Sequence, residues 1–304
     1  MMTCGFLLAG WHQGHPNSTD MKTDISELRK WIGKTQMVSD EITPIPVAAL
    51  AATLDLDTPR LKTGDPLPPL WHWLYFLSIH KQSELGPEGH AIMGGFLPPV
   101  RLPRRMWAGG RFEFREPLRV GESYNRTSRI LDVQQKNGST GPLVFVIVRH
   151  EIGKAGGVSL IEEQDLVYRE QAKPGDPAPV TQSAPQDAKW ERMIRPDAVL
   201  LFRYSALTFN AHRMHYDYRY ATGVEGYPGL VVHGPLTATL LLDLLQRNIP
   251  QASVTRFAFR AVGPLFDTAP FAVCGKPEED ARIVSLWAQS DSGGLTTTAT
   301  AAIR

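Results

Sequence analysis

The sequence predicts an α+β protein made of two copies of one unit, each a helix wrapped by a curved antiparallel sheet. Three observations carry this. First, GRFEFREPLRVGE (110–122) and TRFAFRAVGPLFDTA (255–269) both contain Arg-Phe-x-Phe-Arg followed shortly by Pro-Leu. Second, each is followed by alternating segments, SYNRTSRILDVQQ and LVFVIVRHEI in one half, FAVCGKP, ARIVSLWAQS and LTTTATAAI in the other. Asn-Gly and Gly-Gly signals separate them, and a period of two broken by such turns marks antiparallel hairpins. Third, PLTATLLLDLLQRNI (235–249) is apolar nearly all round and opens with proline, which suits a buried helix. A sheet that buries one face on such a helix is an α+β arrangement, and two of them joined edge to edge hide their open strands.

The elements follow in order. Residues 1–20 include CGFLLAGW with no lysine or arginine before it. They are expected to be a disordered extension rather than a secretory signal. MKTDISELRKWIG then opens the compact protein as its first helix, and the first unit runs over 21–153. Within it, either PVAALAATLD or the aromatic LWHWLYFLSI takes the place of the buried helix. Residues 154–197 pass through KAGG and QAKPGDPAPVTQSAPQDAK, whose Pro, Ala, Asp and Gln cannot supply a core and predict a linker. The second unit spans 198–304.

A chain of 304 residues with 42% hydrophobic and 21% charged residues can bury a core in each of two such units. The formal net charge of +1 gives no electrostatic reason to expect nucleic acid or an anionic membrane as partner, so a small molecule is the expected ligand. No window approaches the roughly 20 apolar residues of a membrane span. Cys4 and Cys274 are the only cysteines and have no paired metal spacing, which predicts a reducing, cytoplasmic setting without a disulfide.

Titratable side chains concentrate in FNAHRMHYDYRYA (209–221). Read as a metal site, His212, His215 and Asp217 would be the ligands, but Arg213 would set a cation beside a dication. No metal is expected. Read as acid/base chemistry, the cluster precedes GYPGLVVHGPLTATLLLDL, in which Gly234 and Pro235 open the buried helix. The unpaired N–H groups and positive end of that helix suit a carbonyl oxygen that gains negative charge. With His215 as proton carrier, the parts fit chemistry alpha to a carbonyl.

SALTFNAHRMHYDYRYA followed by GLVVHGPLTATLLLDL resembles the MaoC-like hotdog hydratases, whose signature is Asp-x-Asn-Pro-x-His and then an apolar segment ending in His-Gly and the central helix. It is more similar to their two-hotdog branch, which includes mesaconyl-C4-CoA and itaconyl-CoA hydratases and type 2 hydroxyacyl-thioester dehydratases. The resemblance implies a double hotdog and reversible addition of water to an enoyl-CoA, possibilities including a dicarboxylic one such as mesaconyl-C4-CoA or itaconyl-CoA. It implies no cofactor beyond the CoA of the substrate, and leaves a homodimer open. His215 falls on the family's catalytic histidine and Gly234 on the glycine whose N–H polarises the thioester carbonyl. Asn210 falls where most members carry an aspartate, and His212 and Arg213 replace the asparagine and proline of the signature. An amide cannot take a proton from water, so Asn210 is expected to orient the water while His215 acts as base.

Other residues have competing readings. Arg213 or Arg203 would bind the free carboxylate of a dicarboxylic acyl group, or else brace the loop and face solvent. His233 would touch ligand, or cap and pack. Asp217 and Tyr216 should point away from the pocket, and His90, in GPEGHAIMGGFLPPV, reads as a structural or solvated loop histidine. Arg104 and Arg105 are candidates for the CoA phosphates, with an exposed basic pair as the plainer reading. Trp71, Trp73 and Trp107 read as core. The first half has no Asn-x-x-x-x-His, so its unit is expected to have lost catalysis and to shape the acyl pocket. The rival functions are a hotdog acyl-CoA thioesterase and a noncatalytic acyl-CoA binding protein.

Overall fold

The computed structural model describes residues 24–56, 61–138, 141–171 and 181–304. The first unit contributes strands β1 (Thr35–Glu41), β2 (Arg104–Phe114), β3 (Ser123–Gly138), β4 (Gly141–Lys154) and β5 (Gly157–Arg169). The second contributes β6 (Trp190–Ile194), β7 (Val254–Ala261), β8 (Phe271–Pro277), β9 (Ile283–Ser290) and β10 (Leu295–Ile303). All lie in one antiparallel sheet of order β1-β3-β4-β5-β2-β7-β10-β9-β8-β6. Read from its two ends, the sheet has the same order twice.

The duplicated segments meet at the centre. In the β2–β7 pair, Phe112 stands opposite Phe257, Arg111 opposite Ala258 and Glu113 opposite Arg256. Phe112 and Phe257 are the same residue of the Arg-Phe-x-Phe-Arg repeat, so the pseudo-two-fold axis passes between them. The edges that two separate sheets would expose are thereby paired.

The helices are α1 (Ile25–Arg29), α2 (Pro44–Thr53), α3 (Ala198–Leu207), α4 (Tyr218–Gly223) and α5 (Gly234–Asn248). Asp24 caps α1, its side chain accepting from the Ser26 N–H. α2 follows β1 as α3 follows β6, and the two pack on each other. α5 lies across β8, β9, β6 and β10, with Leu236, Leu240, Leu241, Leu244 and Leu245 buried. This is the wrapped helix the sequence predicts.

Its counterpart in the first unit follows from two matching hydrogen bonds. The Leu67 N–H donates to the Leu118 carbonyl at 2.7 Å, and the Val232 N–H to the Leu265 carbonyl at 2.8 Å. Leu118 and Leu265 are the leucines of the two Pro-Leu repeats. Counting forward sets Pro68, Pro69 and Leu70 against His233, Gly234 and Pro235. Of the two predicted candidates, therefore, LWHWLYFLSI holds the equivalent place, but it forms only a 3-10 turn over Trp71–Leu74. Leu70 and Phe76 stand on either side of that turn at φ 70° and 54°, where a right-handed helix cannot continue. A cavity of about 1120 Å³ lies between α2, the Pro66–His72 segment and the Thr239, Leu242 and Gln246 side of α5.

The linker expected over 154–197 is shorter than that. Its first part is the β4–β5 turn and then β5, and its last part contains β6. KAGG is a hairpin turn, in which Lys154 pairs with Gly157. The acidic run of β5 is satisfied by neighbouring elements, Glu162 by His72 and Trp73 of the 3-10 turn and Glu163 and Asp165 by Arg111 of β2. The predicted extension 1–20 lies outside the described residues, as do 172–180 of the proline-rich stretch.

Candidate active site

α3 brings the chain to the site. Asp197 caps it, accepting from the Leu200 N–H at 2.7 Å, and Leu201, Tyr204 and Ser205 form its buried face. After Phe209, at φ 50°, the Asn210 Oδ1 accepts from the His212 N–H at 3.0 Å. This short turn delivers the chain into a 3-10 turn over Arg213–His215. Asp217 then caps α4, accepting from the Tyr220 N–H.

The segment ahead of α5 is tied back onto this loop. The Val231 N–H donates to the Met214 carbonyl at 3.0 Å, and His215 Nδ1 lies 2.7 Å from the Val231 carbonyl oxygen. A carbonyl only accepts, so Nδ1 carries the hydrogen and Nε2 of neutral His215 keeps its lone pair. The His215 ring stacks on His233 at 3.8 Å between centroids, and His233 is the residue before Gly234. The imidazole and the start of α5 are thus brought together. A Cβ built on Gly234 meets nothing within 4 Å, so the space beside this residue is open. As the first N–H of the helix, that of Gly234 has no carbonyl of the preceding turn to bond.

His233 is fully buried, with Nε2 2.8 Å from Ser205 Oγ and its ring edge-on to Tyr204. Its Nε2 and ring are thus engaged by α3, while its buried Nδ1 has no hydrogen-bond partner among the described residues. His212 stands 5.5 Å from the His215 ring and 4.1 Å from His90, which comes from the first unit. Four imidazoles therefore form a line from His90 through His212 and His215 to His233. Burial pushes His215 down to about 4, partly offset by its bond to the Val231 carbonyl. Burial, then His215 and Arg105, pushes His212 down to about 3. His90 and His233 are held well below the usual histidine range, again chiefly by burial. All four are neutral at pH 7.

His90 is not the lone loop histidine the sequence suggested. Its loop lies directly on 210–213: the Arg213 N–H donates to the Glu88 carbonyl at 2.9 Å. Gly89 sits at φ 95°, and a Cβ there would fall 1.8 Å from the Ala211 carbonyl oxygen, so only glycine fits. His90 was beyond sequence reasoning because 122 positions separate it from His212; the only local signal was Gly89 before it. Ser205 was also missed, although it shares the buried face of α3 with Leu201, four positions earlier.

The two arginines proposed for a substrate carboxylate are placed otherwise. Arg213 reaches Asp217 through Nε and Nη2, at 3.1 and 2.8 Å, and the Pro87 carbonyl through Nη1 at 3.0 Å. It also lies 4.1 Å over the Tyr220 ring. It braces the loop, and it engages Asp217, which sequence reasoning had weighed as a metal ligand. Arg203 is on the exposed side of α3. Arg104 is buried against Glu225 and Tyr227 rather than forming an exposed basic pair with Arg105. Among the described residues, no group of three or more His, Cys, Asp or Glu side chains could hold a metal ion.

The sequence profile for hydroxyacyl-thioester dehydratase type 2 matches residues 70–267. The chain is 46% identical, over 89% of its length and 95% of the relative's, to mesaconyl-C(4)-CoA hydratase of Chloroflexus aurantiacus. The chain belongs to the hydroxyacyl-thioester dehydratase type 2 family. It is a hydro-lyase, a hydratase/dehydratase of acyl thioesters. Solved structures of lower identity share the fold: a MaoC-like dehydratase superposes with a TM-score of 0.66 at 16% identity, covering 90% of this chain and 98% of that one. A Mycobacterium tuberculosis protein described as a double hotdog superposes at 0.52 with 15% identity, covering 90% and 96%. Among the described residues no helix is long and apolar enough to cross a membrane.

Proposed function

We propose that the enzyme adds water reversibly to a short enoyl-CoA bearing a free carboxylate, of the mesaconyl-C4-CoA kind, with His215 as the base. One observation supports this above the others: the 3.8 Å stack of His215 on His233 brings a bare imidazole nitrogen to the start of α5. In hydration the thioester oxygen accepts from the Gly234 N–H, and His215 Nε2 takes a proton from water as its oxygen bonds to the β-carbon. The electron pair of the double bond moves to the thioester oxygen, and imidazolium returns the proton to the α-carbon. Dehydration is the reverse. The relative of highest quoted identity is named for mesaconyl-C(4)-CoA, which supports the substrate class. No cofactor takes part in these steps, and both proton carrier and helix start come from one chain, so a homodimer is not required for the site.

The cavity of about 1120 Å³ beside α5 favours a second reading, in which the first unit houses a longer acyl chain. One assay decides between them. The protein is incubated with crotonyl-CoA, mesaconyl-C4-CoA, itaconyl-CoA and 2-decenoyl-CoA while enoyl absorbance and free thiol are followed. Loss of absorbance without thiol, fastest for a dicarboxylic substrate, is the expected result. Preference for decenoyl-CoA selects the second reading, thiol release a thioesterase, and no reaction a binding protein.

A further inference from the structure

We propose that Arg105, with His90 and His212, forms the subsite for the free carboxylate of the acyl group. This rests on the dicarboxylic reading above and replaces Arg213 and Arg203 in that role. Arg105 is the second residue of β2, half-buried, opposite Tyr168 of β5. It lines a small cavity of about 30 Å³ together with His90, Arg104, His212 and Met214. That volume suits a pair of waters or one carboxylate group.

Glu88 and Glu225 also line this cavity, but neither pairs with Arg105. The Glu225 carboxylate is 3.1 Å from Arg104, and the oxygens of Glu88 are turned back over Gly86. Among the described residues no carboxylate forms an ion pair with Arg105; its neighbour is the neutral hydroxyl of Tyr168. A partly buried guanidinium beside two neutral imidazoles is a poor host for a cation and a good one for an anion, which can accept from all three. Arg105 also helps to keep both imidazoles unprotonated, so an incoming carboxylate reverses the local sign.

Position agrees with chemistry. In a mesaconyl-C4 thioester the free carboxylate is carried by the β-carbon, the atom that water attacks. His212 is one ring away from His215, at 5.5 Å, so the cavity adjoins the space where that carbon would sit. A methyl group in the same place would leave Arg105 desolvated and unpaired, which discriminates against neutral acyl groups.

The test measures kcat/KM for mesaconyl-C4-CoA and crotonyl-CoA in wild type, Arg105→Gln and Arg105→Lys, with succinyl-CoA and butyryl-CoA as competing ligands of wild type. The expected result is a 10- to 100-fold fall in the mesaconyl/crotonyl ratio for Arg105→Gln, the range of a lost charged hydrogen bond, with partial recovery in Arg105→Lys. Succinyl-CoA should inhibit wild type at least tenfold better than butyryl-CoA. Equal losses on both substrates, an unchanged ratio, or equal inhibition by the two ligands would overturn the assignment. Wild type that hydrates crotonyl-CoA alone also overturns it while leaving the hydratase intact; wild type that hydrates neither removes the functional reading itself.

Discussion

The two halves of the sheet share a strand order and a Pro-Leu anchor, yet at the helix start they differ in the one group the chemistry needs. The second unit has His233 and Gly234 opening a helix of 15 residues. The first has Pro68 and Pro69 leading into a turn of four. Proline has no N–H, so no oxygen could be polarised at position 69 even if a substrate reached it. The polar groups differ in the same sense. In the first unit His72, two residues after Leu70, gives Nε2 to the buried Glu162 at 2.9 Å. Trp73 and Gln164 complete the bonding of that carboxylate. Burial alone would raise Glu162, but His72, His150 and Gln164 hold it at about 2. The first unit thus holds a closed, hydrogen-bonded carboxylate core, whereas the second has a bare imidazole nitrogen and an unbonded helix start.

The largest break in this comparison should come from His215. His215→Gln keeps much of the buried volume but removes the base, and kcat should fall about 10²- to 10⁴-fold with the melting temperature little changed. Turnover near wild type would move the base elsewhere. Next, Gly234→Pro imports the first unit's residue and deletes the N–H; a loss of about 10²- to 10³-fold is expected, the usual cost of one oxyanion donor. Gly234→Ala is the comparison, because it keeps the N–H and its Cβ meets no protein atom, so it should lose less than Gly234→Pro. Equal losses in both would show a need for glycine's size rather than for its hydrogen.

Much of this comparison was legible in the sequence, because its signals are local. The repeated Arg-Phe-x-Phe-Arg, the hairpin turns and the apolar run opening at Pro235 each state their own geometry. His215 and Gly234 were singled out through the resemblance of their segment to the MaoC-like signature. What stayed hidden depends on partners remote in the chain. β5 carries Glu162, Glu163 and Asp165 and resembles a polar connector until His72 and Arg111 are placed beside it. Arg213 resembles a carboxylate fork until Asp217 and the Pro87 carbonyl engage it. His90 joins the site only when the first unit folds over the second.

Acidification probes both halves together. His150 in the first unit, bonded to Ser128, is lowered to about 4 by burial, as is His215 in the second. Each binds a proton in the unfolded chain near pH 6.5 but not in the folded one until about pH 4. Their stabilisation is therefore complete above pH 6.5 and lost as pH falls through that window, with Glu162 adding a further loss from about pH 4.5 down to 2. The melting temperature should fall steadily between pH 6.5 and 4. His150→Gln and His215→Gln should each flatten the slope; a flat wild-type profile would mean that these imidazoles are protonated in the folded state.

The smallest effect concerns Asn210, which stands where the MaoC-like signature that the sequence resembles has an aspartate. Its Oδ1 holds the turn by accepting from the His212 N–H, and the amide nitrogen is left to donate to a water. Asn210→Asp keeps the turn, since a carboxylate oxygen accepts the same N–H, but it places a negative charge in the loop that carries His215. That charge favours imidazolium and should raise His215 from about 4, moving the acid limb of kcat/KM toward neutral pH. The rate itself should change by less than about tenfold, because the base is still present. Asn210→Ala loses both the turn and the donor and should fall further than Asp at every pH. If the Asp and Ala profiles both overlay wild type, the water is held by another group, and the amide serves only to shape the chain between α3 and His215.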